Sequence, residues 1–367
     1  MVGRRVLFCD LGTLRQRRLA RSLCAQPSPS LRYAPSRQNE VRVETGTTIT
    51  ADVSVCIVNW NCRELLRSCL ESLRRSAHEL VLEIVVVDNG SADGSADMIV
   101  ENFPEVVLLR NPDNLGFARA NNQAAELACG RYLFFLNNDT LVPPGALRRL
   151  VEYADAHPEA GLVGPRLRDG RGDVQISCRL LPTVATFISR LHFVRMTGLM
   201  RSHYRRYRRR GFDPSATRPV ELLMGAALLV RRRVLSECGG WDERFVFGGE
   251  DLELCWRIGR RYRVVYHGEV EVIHYGREST RQHVSYAGAH IAVGFARYLR
   301  KTRARRAALL LYKVAVTADA PIQLIEKWLQ GMSRLIRGRR DDAGKSFLFA
   351  RTMWHFLSKG LIPFWRA

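Results

Sequence analysis

The sequence has no CxxC pair, no run of the ~18–20 uninterrupted apolar residues that crosses a bilayer, and no GxGxxG after its first strand-like segment. Each absence removes a class of protein. Nine unpatterned cysteines exclude a zinc ribbon and a disulfide framework, and point to a reducing compartment. Met1 to Phe8 offers two arginines and then an apolar stretch too short for a secretory signal. The expected location is therefore the cytoplasm, with peripheral attachment to the cytoplasmic face of the membrane as the further option. Where a nicotinamide-dependent oxidoreductase would carry its glycines, Asn59-Trp60-Asn61-Cys62 stands instead. Acidic residues are also scarce, 36 against 57 lysines and arginines, for a net charge of +21. That balance favours a polyanionic partner: nucleic acid, anionic lipid or a phosphorylated substrate. The arginine runs match no helix-turn-helix, zinc-finger or RNP pattern, which weakens the nucleic-acid alternative.

What is present is a regular alternation. Hydrophobic residues make up 46% of the chain, enough for a packed core. Val53–Val58 is a short β-branched run suited to a buried parallel strand. Leucines 65, 66, 70 and 73 then recur at helical spacing. Strands are expected at 82–87, 106–109 and 132–136, and helices at 95–102 and 116–129. This predicts an α/β fold with an open, mostly parallel central sheet and helices on both faces. Ligands of such sheets bind at the carboxyl ends of the strands. The polar clusters fall there: Asn59, Asp88-Asn89, Asn111 to Asn114, and Asn137-Asn138-Asp139.

The segments VSVCIVNWN (53–61), VVVDNGSADGS (85–95), NPDNLGFARANN (111–122), FFLNNDT (134–140), ELLMGAALLVRR (221–232), GGWDERFVFGGEDLELCWR (239–257) and VIHYGREST (272–280) stand in a fixed order. Together they resemble the family 2 glycosyltransferases of GT-A fold, in their rhamnosyltransferase-like branch. The resemblance implies transfer of rhamnose or another hexose from a nucleotide-diphosphate sugar to an acceptor hydroxyl. It implies metal-assisted inverting single displacement and an acceptor that is a lipid-linked or cell-envelope polysaccharide precursor. The deoxythymidine diphosphate rhamnose donor is favoured over uridine or guanosine diphosphate sugars. Asn59, Asp88, Asn89, Asn114, Gly116, Phe117, Asn122 and Asn138 are then expected around the donor. Asp139, last residue of a DxD-type motif with only one acid, and His274 are expected to hold Mg2+ or Mn2+. Hard cations take oxygen ligands and share their shell with substrate phosphates. Asp251 is expected as general base with Glu250 beside it, because the attacking hydroxyl must lose a proton. Trp241 and Asp242 are assigned to the acceptor, and Arg277 and Ser279 to the leaving phosphates. Chemistry alone leaves blander readings open: helix capping for Glu250-Asp251 and an Asx turn for Asp139. A non-catalytic sugar-nucleotide-binding module is a further alternative, opposed by the retained Glu250-Asp251.

Along the chain, residues 1–50 read as a disordered or weakly ordered basic leader. Residues 51–284 read as the catalytic domain, its donor half at 51–142 and its acceptor half at 143–284. Residues 285–367 read as a basic amphipathic helical tail suited to an anionic membrane surface. Oligomeric state is left open.

Overall fold

The computed structural model describes residues 6–8, 50–76, 80–207, 212–276, 284–302 and 304–367. The described chain divides into two compact units, each assembled from separate segments.

The first unit comprises 1–177, 213–243 and 254–278. Its sheet contains β1 (Val6–Phe8), β2 (Ala51–Asn59), β3 (Leu82–Asn89), β4 (Val107–Asn111), β5 (Gly130–Asn137), β6 (Thr140–Leu141), β7 (Ala160–Arg168), β8 (Val174–Gln175), β9 (Arg218–Val220), β10 (Ala227–Arg231) and β11 (Arg263–His274). The spatial order is β1-β4-β3-β2-β5-β10-β7-β11-β9, with β6 on β11 and β8 on β7. From β1 to β5 every pairing is parallel. Beyond β5 the sheet is mixed: β10 runs antiparallel to both β5 and β7, whereas β7 and β11 are parallel. The chain leaves β2 in one direction for β3 and β4, then returns to β2's other side with β5. That reversal opens a crevice at the carboxyl ends of β2 and β5.

The helices follow from apolar spacing. In α1 (Arg63–Ser76), Leu66, Cys69, Leu70 and Leu73 form the buried face. They join Val53, Val55, Ile57, Val86, Phe134 and Leu136 in one core. Fully burying each leucine stabilises by about 1.5–3 kcal/mol. Helices α2 (Ser95–Asn102), α3 (Phe117–Leu127) and α4 (Ala146–Ala156) connect the next strands. Cys56 and Cys69 are fully buried free thiols, and burial pushes both well above the usual thiol range.

The second unit gathers 178–212, 244–253 and 279–367. It holds α5 (Val184–Ile188), α6 (His192–Thr197), α7 (Arg201–Tyr207), α10 (Val284–Lys301), α11 (Arg306–Ile336), α12 (Arg340–His355) and α13 (Leu361–Arg366). Helix α8 (Arg232–Cys238) lies in the first unit, and α9 (Glu250–Ile258) begins in the second. Phe187 stacks on Phe295 at 4.5 Å, and Tyr312 meets Phe364 at 6.0 Å. Asp319, only 1% exposed, accepts from His192 N and Phe193 N at 2.9 and 3.1 Å, so a buried carboxylate caps α6. In this division the segment from residue 279 is grouped with other parts of the chain. It shares a unit with 178–212 and with the segment that carries Glu250 and Asp251. Reading along the chain joins neighbours in sequence, whereas packing joined segments far apart.

Most of the basic leader, residues 1–5 and 9–49, lies outside the described residues, as do Arg208, Arg209, Arg210, Arg277 and Ser279. Val6–Phe8 adds an edge strand parallel to β4.

Candidate active site

At the carboxyl ends of β2, β3 and β5, asparagine amides are tied to one another and to the Asp88 carboxyl. Asn138 Nδ2 donates to Asn59 Oδ1 at 2.7 Å, and Asn59 Nδ2 donates to Asp88 Oδ1 at 3.1 Å and to Ser91 Oγ at 3.2 Å. Asp88 Oδ2 accepts from Ser91 N at 3.1 Å, closing the turn after β3. Asn59, Asp88 and Asn89 are all buried. Asn is suited to this web because each amide both donates and accepts, so one side chain bridges adjoining loops.

A second strand of the web fixes the 111–116 loop. Asn89 Nδ2 donates to Asn114 Oδ1 at 2.8 Å, while Asn89 Oδ1 accepts from Asn111 Nδ2 and Leu115 N, each at 3.1 Å. Gly90 has φ +77°, and a Cβ there would stand 2.9 Å from Asp113 backbone atoms. Only glycine lets the two loops approach so closely. Gly116 begins α3 at φ 89°, ψ 162°, a conformation confined essentially to glycine.

The expected metal pair converges. Asp139 lies in the two-residue link between β5 and β6, and the β6–β11 ladder sets Thr140 opposite His274. Tyr275 N donates to Asp139 O at 2.9 Å. His274 Nε2 then stands 3.3 Å from Asp139 Oδ1, both residues being over nine-tenths buried. Asp139 Oδ1 has no hydrogen-bond partner. Gln175 on β8 decides what faces it. Its Nε2 donates to His274 O at 2.6 Å, so its Oε1 is the atom 2.9 Å from His274 Nδ1 and must accept a proton from it. In the neutral imidazole this leaves Nε2 as an acceptor, 3.4 Å from Asn137 Nδ2 and 3.3 Å from Asp139 Oδ1. Two acceptors face each other across 3.3 Å, an arrangement that invites a cation between them. Among the described residues no group of three or more His, Cys, Asp and Glu exists. A cation held here would thus complete its shell from substrate phosphate and water, as Mg2+ does. The residues fit a divalent ion. Gln175 was missed in the sequence because it lies outside every quoted segment and acts only through His274.

Other expected site residues have different local uses. Asn122 pairs twice with one backbone unit: Trp241 N donates to its Oδ1 at 2.8 Å, and its Nδ2 donates to Trp241 O at 2.9 Å. It anchors the loop before α9 rather than offering its amide to a ligand. Trp241, expected at the acceptor, is 2% exposed, wedged edge-on between Phe117 (5.8 Å) and Phe135 (5.1 Å). Its indole orients Phe117, which remains half-buried, and Asp242 is half-buried.

In the second unit, Glu250 and Asp251 form the first turn of α9. Glu250 Oε2 is fully enclosed without a partner. Burial, reinforced by the Asp251 charge, pushes the Glu250 carboxyl up to about 8. Near neutral pH this favours the protonated form of Glu250. Backbone packing fixes this turn: Gly248 and Gly249 have φ +83° and +93°, and a Cβ on Gly294 of α10 would stand 1.9 Å from Gly248 O. Glu253 of α9, fully buried, pairs with Lys301 of α10 at 2.5 Å.

The family model described as Glycosyl transferase family 2 matches residues 54–238. N-acetylglucosaminyl-diphospho-decaprenol L-rhamnosyltransferase of Mycobacterium tuberculosis is 34% identical over 228 residues, 58% of this chain and 73% of that protein. The O-antigen biosynthesis protein RfbC of Myxococcus xanthus is 30% identical over 251 residues, 66% of this chain but 19% of that protein. Among solved structures, a mannosyltransferase from Pyrobaculum calidifontis in complex with GDP-Man and Mn2+ aligns over 94% of both chains with 18% identity and a TM-score of 0.47.

Proposed function

The chain belongs to glycosyl transferase family 2, and from that premise we propose that it moves rhamnose from a nucleoside-diphosphate donor to a hydroxyl of a lipid-linked cell-envelope precursor. The GT-A fold and sugar transfer follow from membership and the sheet topology. The sugar and acceptor are favoured by the rhamnosyltransferase relative, whose name gives a diphospho-decaprenol acceptor. Deoxythymidine diphosphate is the preferred nucleotide, with uridine and guanosine diphosphates as the competitors. In this reading the reaction runs at the cytoplasmic face of the membrane.

The observation that carries the reading is the Asp139–His274 pair, buried, unpartnered at Oδ1 and held at the sheet's carboxyl edge. When bound there, Mg2+ or Mn2+ supplies positive charge that steadies the departing diphosphate. Asp139 and His274 hold that ion, and Gln175 keeps His274 in the liganding tautomer. The Asn59–Asp88–Asn138 web sets the donor pocket's floor, and Asp88 meets the base or ribose. Asn89 and Asn114 hold the Gly116 loop, so that the α3 N-terminus and Phe117 line the same pocket. Asn122 and Trp241 serve by positioning, and Asp242 contacts the acceptor. Asp251 takes the acceptor proton as the oxygen attacks the anomeric carbon, the sugar–phosphate bond breaks, and the configuration inverts. The raised Glu250 carboxyl favours its protonated form, which suits Glu250 less than Asp251 to the base role.

A panel of nucleotide-sugars tests the donor. The cognate one should raise the melting temperature only when a divalent ion is present, because a ligand of the folded state stabilises by mass action. Asp251→Asn should retain this response yet lose transfer about 10²–10⁴-fold. Normal turnover by that variant would remove Asp251 from the base role.

A further inference from the structure

Helix α11 is 31 residues long, and an 18-residue window within it has a mean hydropathy of 1.4, yet only 22% of that window is buried. Many of its exposed apolar residues share one face. Leu311, Val314, Ile322, Ile325, Leu329 and Ile336 follow one another at near-whole numbers of helical turns, and all are exposed, Ile325 by 60% and Ile336 by 82%. The apolar character is thus a stripe interrupted in sequence by polar residues, so it forms no long uninterrupted run. At 1.5 Å per residue the stripe extends for roughly 38 Å.

The charges of α11 have other business. Lys313 Nζ donates to Trp365 O at 2.8 Å, Asp319 caps α6, and Glu326 pairs with His192 at 2.7 Å. Lys327 Nζ donates to Gln330 Oε1 and Arg334 to Ser346 Oγ, each at 2.9 Å, and the other cations gather at the ends. Arg305 and Arg306 precede the stripe, Arg337, Arg339 and Arg340 follow it, and all five are exposed. Between Arg306 and Arg340 the only acids are Asp319 and Glu326, both turned inward to those partners.

We infer that α11 lies in the plane of an anionic lipid surface, its stripe sunk among the acyl chains and its terminal arginines on the headgroups. Spanning the bilayer would strip Lys313, Asp319 and Glu326 of their partners and place them in hydrocarbon, which is costly for each. A second copy of the chain is the poorer occupant. A helix-pairing seam is narrow and edged by opposite charges. This face is broad, edged by exposed Leu310, Trp328 and Leu335, and its arginine ends would repel their counterparts. An apolar face bordered by cations matches interfacial helices. The inference extends the lipid-linked acceptor proposed above but does not depend on sugar transfer.

The test is sedimentation of the full-length protein, without donor or acceptor, with vesicles of phosphatidylcholine alone or mixed equally with phosphatidylglycerol. Binding should be at least tenfold tighter to the anionic vesicles and weaken with salt. The Ile325→Glu/Leu329→Glu variant should lose at least tenfold in binding with an unchanged thermal melt. Trp328→Phe should reduce the fluorescence quenching produced by brominated acyl chains; this readout stands even if the double variant fails to fold. Unchanged quenching in Trp328→Phe overturns the inference. So does a double variant that binds vesicles normally but turns a dimer into a monomer in analytical ultracentrifugation, which would make the stripe a subunit contact.

Discussion

Replacing Gln175 with leucine keeps the side chain's bulk and removes both of its hydrogen bonds, at 2.9 Å to His274 Nδ1 and 2.6 Å to His274 O. The imidazole is then free to take the other tautomer. With Nε2 protonated, a ring N–H instead of a lone pair would stand 3.3 Å from Asp139 Oδ1, and the histidine would have no electron pair there for a cation. Losing the partner that orients a liganding histidine lowers metal affinity about 10–100-fold, or roughly 1.4–2.8 kcal/mol. Titration calorimetry with Mn2+ and the nucleoside diphosphate measures this directly. Nitrogen NMR of His274 in the metal-free protein gives an independent reading: Nδ1–H in the parent, Nε2–H in Gln175→Leu. Gln175→Glu preserves the acceptor and should restore the parent tautomer. If Gln175→Leu binds Mn2+ as tightly as the parent and keeps Nδ1 protonated, Gln175 does not govern the site.

Asp139→Asn removes a buried carboxylate oxygen that lacks a partner, so the metal-free protein should melt no lower than the parent. The same variant should lose the metal-dependent melting shift given by nucleotide-sugar. Glu250 has its folded-state carboxyl raised from 4.5 to about 8, so the folded state binds more protons than the unfolded one between those values. Its ionisation therefore costs stability increasingly as pH rises through that window. Glu250→Gln should match the parent's melting temperature at about pH 4 and exceed it above about pH 8; equal curves throughout would refute the assignment. Gly294→Ala must displace either α10 or the Gly248 carbonyl. It should destabilise by about 1–3 kcal/mol and lower kcat more than the donor KM, which steady-state kinetics checks.

The first half of the sheet was legible because its signals are local and agree with one another. The β-branched run at 53–58 lies within β2 (Ala51–Asn59), and helix 95–102 matches α2 end to end. Less legible was β11, which the sequence presents as two short strands. His267-Gly268-Glu269 interrupts its apolar pattern, and the structure absorbs them as an irregularity in pairing between His267 and Glu271. The antiparallel strand β10 could not be read from its own residues, since Leu228 and Val230 look alike in either direction. At the site, Asp139 and His274 come together only through the β6–β11 ladder, so without the resemblance nothing in the sequence pairs them. Asn122 and Trp241 carry motif positions yet serve each other. The two-unit division escaped a linear reading because each unit closes over segments separated by parts of the other.

Asn89-Gly90 has the sequence most prone to spontaneous deamidation, in which the glycine nitrogen attacks the asparagine side-chain carbon and ammonia departs. Here Asn89 is 2% exposed and its amide is gripped by Asn111, Asn114 and Leu115. The folded protein should therefore age far more slowly at this bond than its unfolded chain. Any molecule that does convert gains a carboxylate where a donor to Asn114 is required, so damage at this one position would loosen the Gly116 loop and be felt first as a loss of nucleotide affinity.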